Sequence, residues 1–409
     1  MGHGADFPLV RFLALIGGVL IQLVVGGVYA WSLFGRALQA PEAMALGAVE
    51  ATVPFEVAIG MIFIGTSIGG RLQDRSSPRV VALIGSAVYA GGLILASFAR
   101  SADDFWLLVL GYGVIGGFGL GMAYIVPVAL LQKWFPAKRA LVTGIAVGGF
   151  GFGATLTSPV AQALLADNPT SPAAAFLPLG VGYLVLGVVG SLLMFAPPVT
   201  ASGSAEAAGD LSVREALRTP QWYLLTAVLV VAVASGISLI SMMATASVEV
   251  AGFDVAAAAT IVGALALFNG AGRIAWAAVA QRVGPLPVLA VILALEGISL
   301  IALPHATGIG FVALAAVVYL CYGGAFGTLP AAAGAFFGMS HAGAIYGLML
   351  VGWSLAGVVG PLVATWLVGP ERNYLLGFTA MGVLAVLGVI LPVTLRKNLR
   401  GTPSPVRAV

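Results

Sequence analysis

Arg273 asks for more chemistry than any other residue in this chain. It lies deep in an apolar run, 257–277, that contains no acidic residue. A guanidinium buried without a counter-charge costs several kcal/mol, so something must satisfy it. An anionic ligand would, because the planar fork of arginine suits a carboxylate held by two parallel hydrogen bonds. The alternative is a structural ion pair with Glu56 or Glu296, carboxyls set in apolar runs of their own. Asn269 stands four residues before Arg273 and therefore on the same helix face. Its amide could donate to a second carboxylate oxygen, orient the guanidinium, or simply join two helices. Glu56 reads as a proton-carrying group near one mouth of a pathway, or as a partner of Arg36. Glu296 reads as a protonated structural carboxyl. Tyr29, Tyr124 and Tyr322 sit inside runs, where ring faces and hydroxyls can line a pocket. Tyr346 starts its run and is set aside. Nothing has metal-ligand spacing, no Ser/His/Asp set can be assembled, and no cofactor is expected. The glycine clusters at 116–121 and 148–153 follow no strand, so they read as close-packing surfaces, not phosphate loops.

The elements that must position these residues follow from composition. The chain has 409 residues, 60% of them hydrophobic and only 8% charged. A soluble domain carries roughly 25% charged residues, so a water-facing protein is excluded and the lipid bilayer is the expected surrounding. Apolar runs lie at 12–34, 51–70, 80–99, 105–131, 140–165, 174–196, 222–245, 257–277, 286–304, 309–337, 342–368 and 374–395. Each suits a membrane helix, and no segment has the alternation of an outer-membrane barrel. With both termini on one side, fourteen of the 18 Lys and Arg residues fall on that side. Arg36, Arg100 and Arg372 fall on the other, and Arg273 lies within a run. The bias places both termini in the cytoplasm. Scattered basic residues give no nucleic-acid footprint, and the single cysteine, Cys321, excludes a disulfide framework.

The division expected is a first six-helix bundle at 1–197, a cytoplasmic linker at 198–221, a second bundle at 222–396 and a tail at 397–409. The loop Gly70-Arg71-Leu72-Gln73-Asp74-Arg75-Ser76-Ser77-Pro78-Arg79 has a weaker echo at Val279 to Gly284. Gly144, Gly149 and Pro159 are echoed by Gly347, Gly352 and Pro361 at nearly the same offset, as duplicated halves require.

Twelve runs in two halves, with that loop after the second, resemble the major facilitator superfamily. Its loop pattern is matched at Gly70, Leu72, Asp74, Arg75 and Arg79, with Ser77 where the family often has glycine. The resemblance implies an all-α membrane protein of twelve transmembrane helices in two pseudo-symmetric six-helix bundles. Gly70, Asp74, Arg75 and Arg79 read as a gating loop, an ionic latch between neighbouring helices. More specific stretches are similar to the oxalate/formate antiporter family and its relatives, the monocarboxylate transporters. They are Gly27 to Ser32, Trp134 to Arg139, Leu217 to Gln221 and Phe268 to Arg273.

That likeness implies that Arg273 binds substrate carboxylate. It further implies an aromatic box from Tyr29 and Tyr124 and, conservatively, Phe150 and Phe326. The oxalate exchanger carries lysine where Trp353 stands, which points here to a single carboxylate. Proton-coupled relatives have aspartate where Asn269 stands, and asparagine cannot titrate. The expected activity is therefore not enzymatic. A monomer carries a small monocarboxylate of the lactate, pyruvate or formate class by alternating access in the inner membrane, with proton symport. A dicarboxylate/formate exchanger is the nearer alternative. A non-transporting sensor would need an output domain for which the linker and tail leave no room, and an apolar drug exporter would leave Arg273 unexplained.

Overall fold

A computed structural model describes residues 6–135, 139–197, 210–338 and 342–399. Residues 198–209 of the expected linker and 400–409 of the expected tail lie outside the described residues. Among the described residues, twelve helices are long and apolar enough to cross a membrane. They are numbered here as spans 1 to 12: Leu9–Leu38, Ala48–Gln73, Pro78–Ala96, Ala102–Leu131, Gly144–Asp167, Pro172–Leu192, Pro220–Glu249, Val255–Val283, Pro285–His305, Gly308–Phe337, Ala344–Val368 and Tyr374–Leu395.

Their ends are written in the sequence. Proline opens spans 3, 7 and 9, where its missing N–H costs nothing. Asp254 caps span 8 by accepting from the Ala257 amide at 2.6 Å, and Asn373 caps span 12 at Leu376. Spans 8, 10 and 11 stop at Gly284, Gly338 and Gly369, each with positive φ.

Four spans are interrupted among the described residues. Span 1 tightens to a 3-10 turn at Gly27–Ala30, span 4 is π-helical over Leu108–Gly116, span 11 breaks at Leu350 and span 12 at Val389. Such departures loosen the regular hydrogen-bond ladder and often mark moving parts.

Packing repeats with a shift of six. Spans 1 and 5, 2 and 4, 3 and 4, and 3 and 6 pack together, as do spans 7 and 11, 8 and 10, 9 and 10, and 9 and 12. This pairing is the pseudo-symmetry of two six-helix bundles. The halves meet where span 5 crosses span 8 and span 2 crosses span 11. Gly151 lies directly on Gly270 in the first seam. In the second, Ser354 Oγ donates to the Ile59 carbonyl at 2.9 Å and accepts from the Phe63 amide at 3.2 Å. The first seam runs on to the face opposite the chain termini, where Gln162 Nε2 donates to the Ala256 carbonyl.

The aromatic residues at span ends divide. Trp106 and Trp366 expose more than half their surface, as belt residues do. Trp134, Trp222 and Tyr374 turn inward, and Trp134 Nε1 donates to the Phe195 carbonyl while the Tyr374 hydroxyl donates to Glu249.

Candidate functional site

The eight residues read as binding candidates converge at the seam between the halves. Tyr29 sits in the 3-10 turn of span 1, Tyr124 in span 4 and Phe150 in span 5. Tyr322 and Phe326 are one turn apart on span 10, and Trp353 follows the break in span 11. Their rings form a closed circuit. Centroids are separated by 5.0 Å from Tyr29 to Phe150, 5.3 Å to Tyr124, 5.6 Å to Trp353, 5.0 Å to Phe326, 5.3 Å to Tyr322 and 5.8 Å back to Tyr29. Every step is edge-to-face, the arrangement that ring quadrupoles favour. Each half supplies three rings.

Arg273 lies against this circuit, its Cζ 4.7 Å from the Phe326 centroid and 5.4 Å from that of Phe150. Its Nε donates to Asn269 Oδ1 at 3.3 Å, so the asparagine orients the guanidinium. The guanidinium is fully buried, yet Nη1 and Nη2 have no hydrogen-bond partner. Neither Glu56 nor Glu296 forms an ion pair with it among the described residues, so the structural pairing is not what satisfies the charge. Asn269 Nδ2 and Trp353 Nε1 are likewise buried and unpartnered. The unpartnered buried atoms of these eight residues are therefore all donors. Cation–π attraction offsets roughly 1–2 kcal/mol of the burial. The Tyr29 and Tyr124 hydroxyls lie within hydrogen-bonding reach of the guanidinium, but no negative charge pairs with it among the described residues, so the rest of the cost stands until an anion arrives. A carboxylate offers two acceptor oxygens and a negative charge in the geometry these donors lack.

Backbone contact fixes the cationic wall. An added Cβ at Gly323 would meet the Asn269 carbonyl, and one at Gly327 would meet the Arg273 carbonyl. Spans 8 and 10 thus touch main chain to main chain at the two residues that carry the chemistry.

The halves are joined across the site by a hydrogen bond between the Tyr29 and Tyr322 hydroxyls, 2.7 Å apart. Both ends are buried. A double-mutant cycle with Tyr29→Phe and Tyr322→Phe, read by thermal unfolding, is expected to give a coupling of about 1 kcal/mol, the net worth of such a bond. Additive effects would mean that the hydroxyls do not hold the halves together.

Two neighbours, Gln22 and Tyr319, escaped the sequence reading, and a third, Tyr346, was set aside by it. Gln22 is buried in span 1 and donates from Nε2 to the Tyr124 carbonyl at 3.0 Å, fixing the register of span 4. A glutamine in an apolar run was the available signal. Tyr346 lies within electrostatic reach of Tyr124 and Arg273, and Tyr319 of Tyr29. Position near a run end concealed the first, and a purely apolar neighbourhood the second.

The two carboxyls lie elsewhere. Glu56 is 2% exposed in span 2, its Oε1 is buried without a hydrogen-bond partner, and it does not pair with Arg36 among the described residues. Glu296 is fully buried in span 9, accepts from Ser235 Oγ at 3.2 Å, and packs with the Tyr322 ring against Gly236. It stands behind the site, not in it. In the expected gating loop, Arg79 stacks on Phe195 with Cζ 3.8 Å from the ring centroid, and Gly70 meets only Ile125. The side chains of Asp74 and Arg75 lie outside the described residues.

A six-shifted packing pattern with a sealed site at its seam can be compared with known families. The sequence profile of the Major Facilitator Superfamily matches residues 11–333. The chain belongs to that superfamily. It is thus a multi-pass membrane transporter. It is 26% identical over 364 residues to an uncharacterized MFS-type transporter, YhjX, of Escherichia coli, covering 87% of each chain. It is 24% identical to the oxalate:formate antiporter of Oxalobacter formigenes, covering 86% of this chain and 83% of that one. It is 26% identical to monocarboxylate transporter 13 of Rattus norvegicus, covering 83% of this chain and 78% of the relative. A solved bacterial homologue of the lysosomal transporter Spinster, inward-facing and unoccupied, superposes with a TM-score of 0.77 over 99% of this chain and 100% of that one. At 15% identity that likeness carries the major facilitator fold alone.

Proposed function

We propose that this major facilitator protein carries small monocarboxylates, of the lactate, pyruvate or formate class, across the inner membrane by alternating access. Both termini are placed in the cytoplasm by the bias of basic residues. What supports the substrate class is the sealed aromatic circuit whose unpartnered atoms are all donors. In this reading Arg273 and Asn269 clamp the carboxylate. The rings of Tyr29, Tyr124, Phe150, Tyr322, Phe326 and Trp353 then close around the apolar end. An anion that neutralises Arg273 lowers the cost of sealing the site, so the loaded carrier crosses between states more readily than the empty one. Protons are the proposed co-substrate, with Glu56 as the group that carries them, because Asn269 cannot.

A second reading, exchange of dicarboxylate for formate, draws on the likeness to the Oxalobacter antiporter. Trp353 opposes it, since an indole and no second cation faces Arg273 across the circuit.

In proteoliposomes, an inside-alkaline pH gradient is expected to drive accumulation of labelled lactate. Unlabelled pyruvate should compete and oxalate should not. Glu56→Gln should lose the gradient-driven accumulation while keeping lactate–lactate exchange. Equal competition by oxalate would move the assignment to the dicarboxylate exchanger.

A further inference from the structure

A second polar concavity opens on the face opposite the chain termini, between spans 1, 2, 7 and 11 and the turn before span 12. Its cavity amounts to about 30 Å³ and opens to solvent, and both halves contribute walls. Two observations set it apart from an ordinary surface groove.

The first concerns hydroxyls. In an apolar helix, serine and threonine ordinarily return their O–H to a carbonyl three or four residues back. Ser235, Ser241, Ser247 and Thr226 all do so here. Ser32 and Thr365 do not, and neither do Ser86, Ser158, Thr328 and Thr379, but of these only Ser32 and Thr365 border the concavity. These two are 2% and 6% exposed, their hydroxyls have no partner, and they line the concavity one from each half.

The second concerns charge. Arg36 and Arg372 line the same space. Arg372, held at a φ of 56°, is paired with Glu249 at 3.2 Å, and Glu249 also accepts from Tyr374. Glu50 accepts from the Gly47 amide at the start of span 2. Arg36 has no ion pair among the described residues, so an uncompensated positive charge lines the same space as two unpartnered hydroxyls. Trp31, pinned by its Nε1 to the Ala51 carbonyl at 2.9 Å, forms the floor. Ser32 stands one helical turn beyond Tyr29. The concavity therefore lies directly outside the central circuit.

From this geometry we infer a second site for small carboxylate anions, in which Arg36 supplies the charge and Ser32 Oγ and Thr365 Oγ1 donate across the seam. The identity of the anion rests on the carboxylate reading of the central site, but the residues do not overlap with it. Because one donor belongs to each half, the site is complete only while the halves meet on this face. Occupancy there favours that closed state, since a ligand shifts an equilibrium toward the state it binds better. The site is weaker than the central one, because its charge is open to water.

Saturation-transfer NMR of L-lactate with the purified chain separates the two sites. In Arg273→Met, which lacks the central cation, a saturable lactate signal should persist. It should fall by roughly threefold or more in Arg273→Met/Arg36→Gln, as expected for loss of a charge-assisted contact. Thr365→Val, close to isosteric, should weaken it in the same background while leaving Arg36 in place. Loss of all lactate signal in Arg273→Met alone would overturn the second site and leave the central reading intact. So would a residual signal indifferent to Arg36→Gln and Thr365→Val. A wild-type signal unaffected by Arg273→Met but abolished by Arg36→Gln would instead overturn the central reading and keep this one.

Discussion

Labelled lactate uptake in proteoliposomes is expected to fall at least about 30-fold in Arg273→Met, because removing one partner of a desolvated charge pair costs about 2–5 kcal/mol and each 1.4 kcal/mol is tenfold. Arg273→Lys should rescue little of it, since an ammonium lacks the planar fork and could not keep the Nε bond to Asn269. The same substitution should act in the opposite sense on stability. The guanidinium is buried with two unpartnered nitrogens, and replacing an uncompensated buried charge by an apolar side chain of similar length relieves a cost. Arg273→Met without ligand should therefore melt at a higher temperature than the native chain. The native chain should gain stability with added lactate in proportion to the logarithm of concentration, and the variant should not. A lower melting temperature for ligand-free Arg273→Met would show the arginine to be a structural tie.

Gly323→Val is expected to lose most folded protein. Its side chain would be driven into the Asn269 carbonyl, where main chain faces main chain and no rotamer change makes room. Overpacking of a tight site costs about 1–3 kcal/mol per added group and more where backbone must move. Gly323→Ala should lower the melting temperature measurably, and Gly323→Val should reduce the monodisperse yield after extraction. Gly182→Ala is the comparison: nothing lies within 4 Å of its added methyl, and its stability should stay near that of the native chain. If both alanine variants behaved alike, close approach of spans 8 and 10 would not be what positions Asn269 and Arg273.

The spans could be read from the chain because apolar length and charge scarcity are local properties. Arg273 could be read for the same reason: a cation is conspicuous where charges are rare. Of the aromatic circuit, Tyr29, Tyr124 and Tyr322 were legible from their depth in apolar runs, and Phe150, Phe326 and Trp353 only through family likeness. Nothing in the spacing of Tyr29 and Tyr322, which are 293 residues apart, reveals that their hydroxyls meet. Trp134, Trp222 and Tyr374 stand at span ends, where belt residues ordinarily lie, yet the carbonyl and carboxylate that draw Trp134 and Tyr374 inward come from distant segments. The breaks in spans 1 and 11 carry no proline, and hydropathy is blind to them. The outer concavity depends on two hydroxyls declining a local hydrogen bond, a choice that packing makes and composition does not record.

The circuit of six rings is shared equally between the halves, but the charge is not. Tyr29, Tyr124 and Phe150 form a neutral cup, whereas Tyr322, Phe326 and Trp353 stand beside Arg273. When the halves part, a bound anion must stay with the cationic side. The second bundle is then the vessel and the first its shutter, and a carrier built from a duplicated plan gains a handedness that its symmetry alone would deny it.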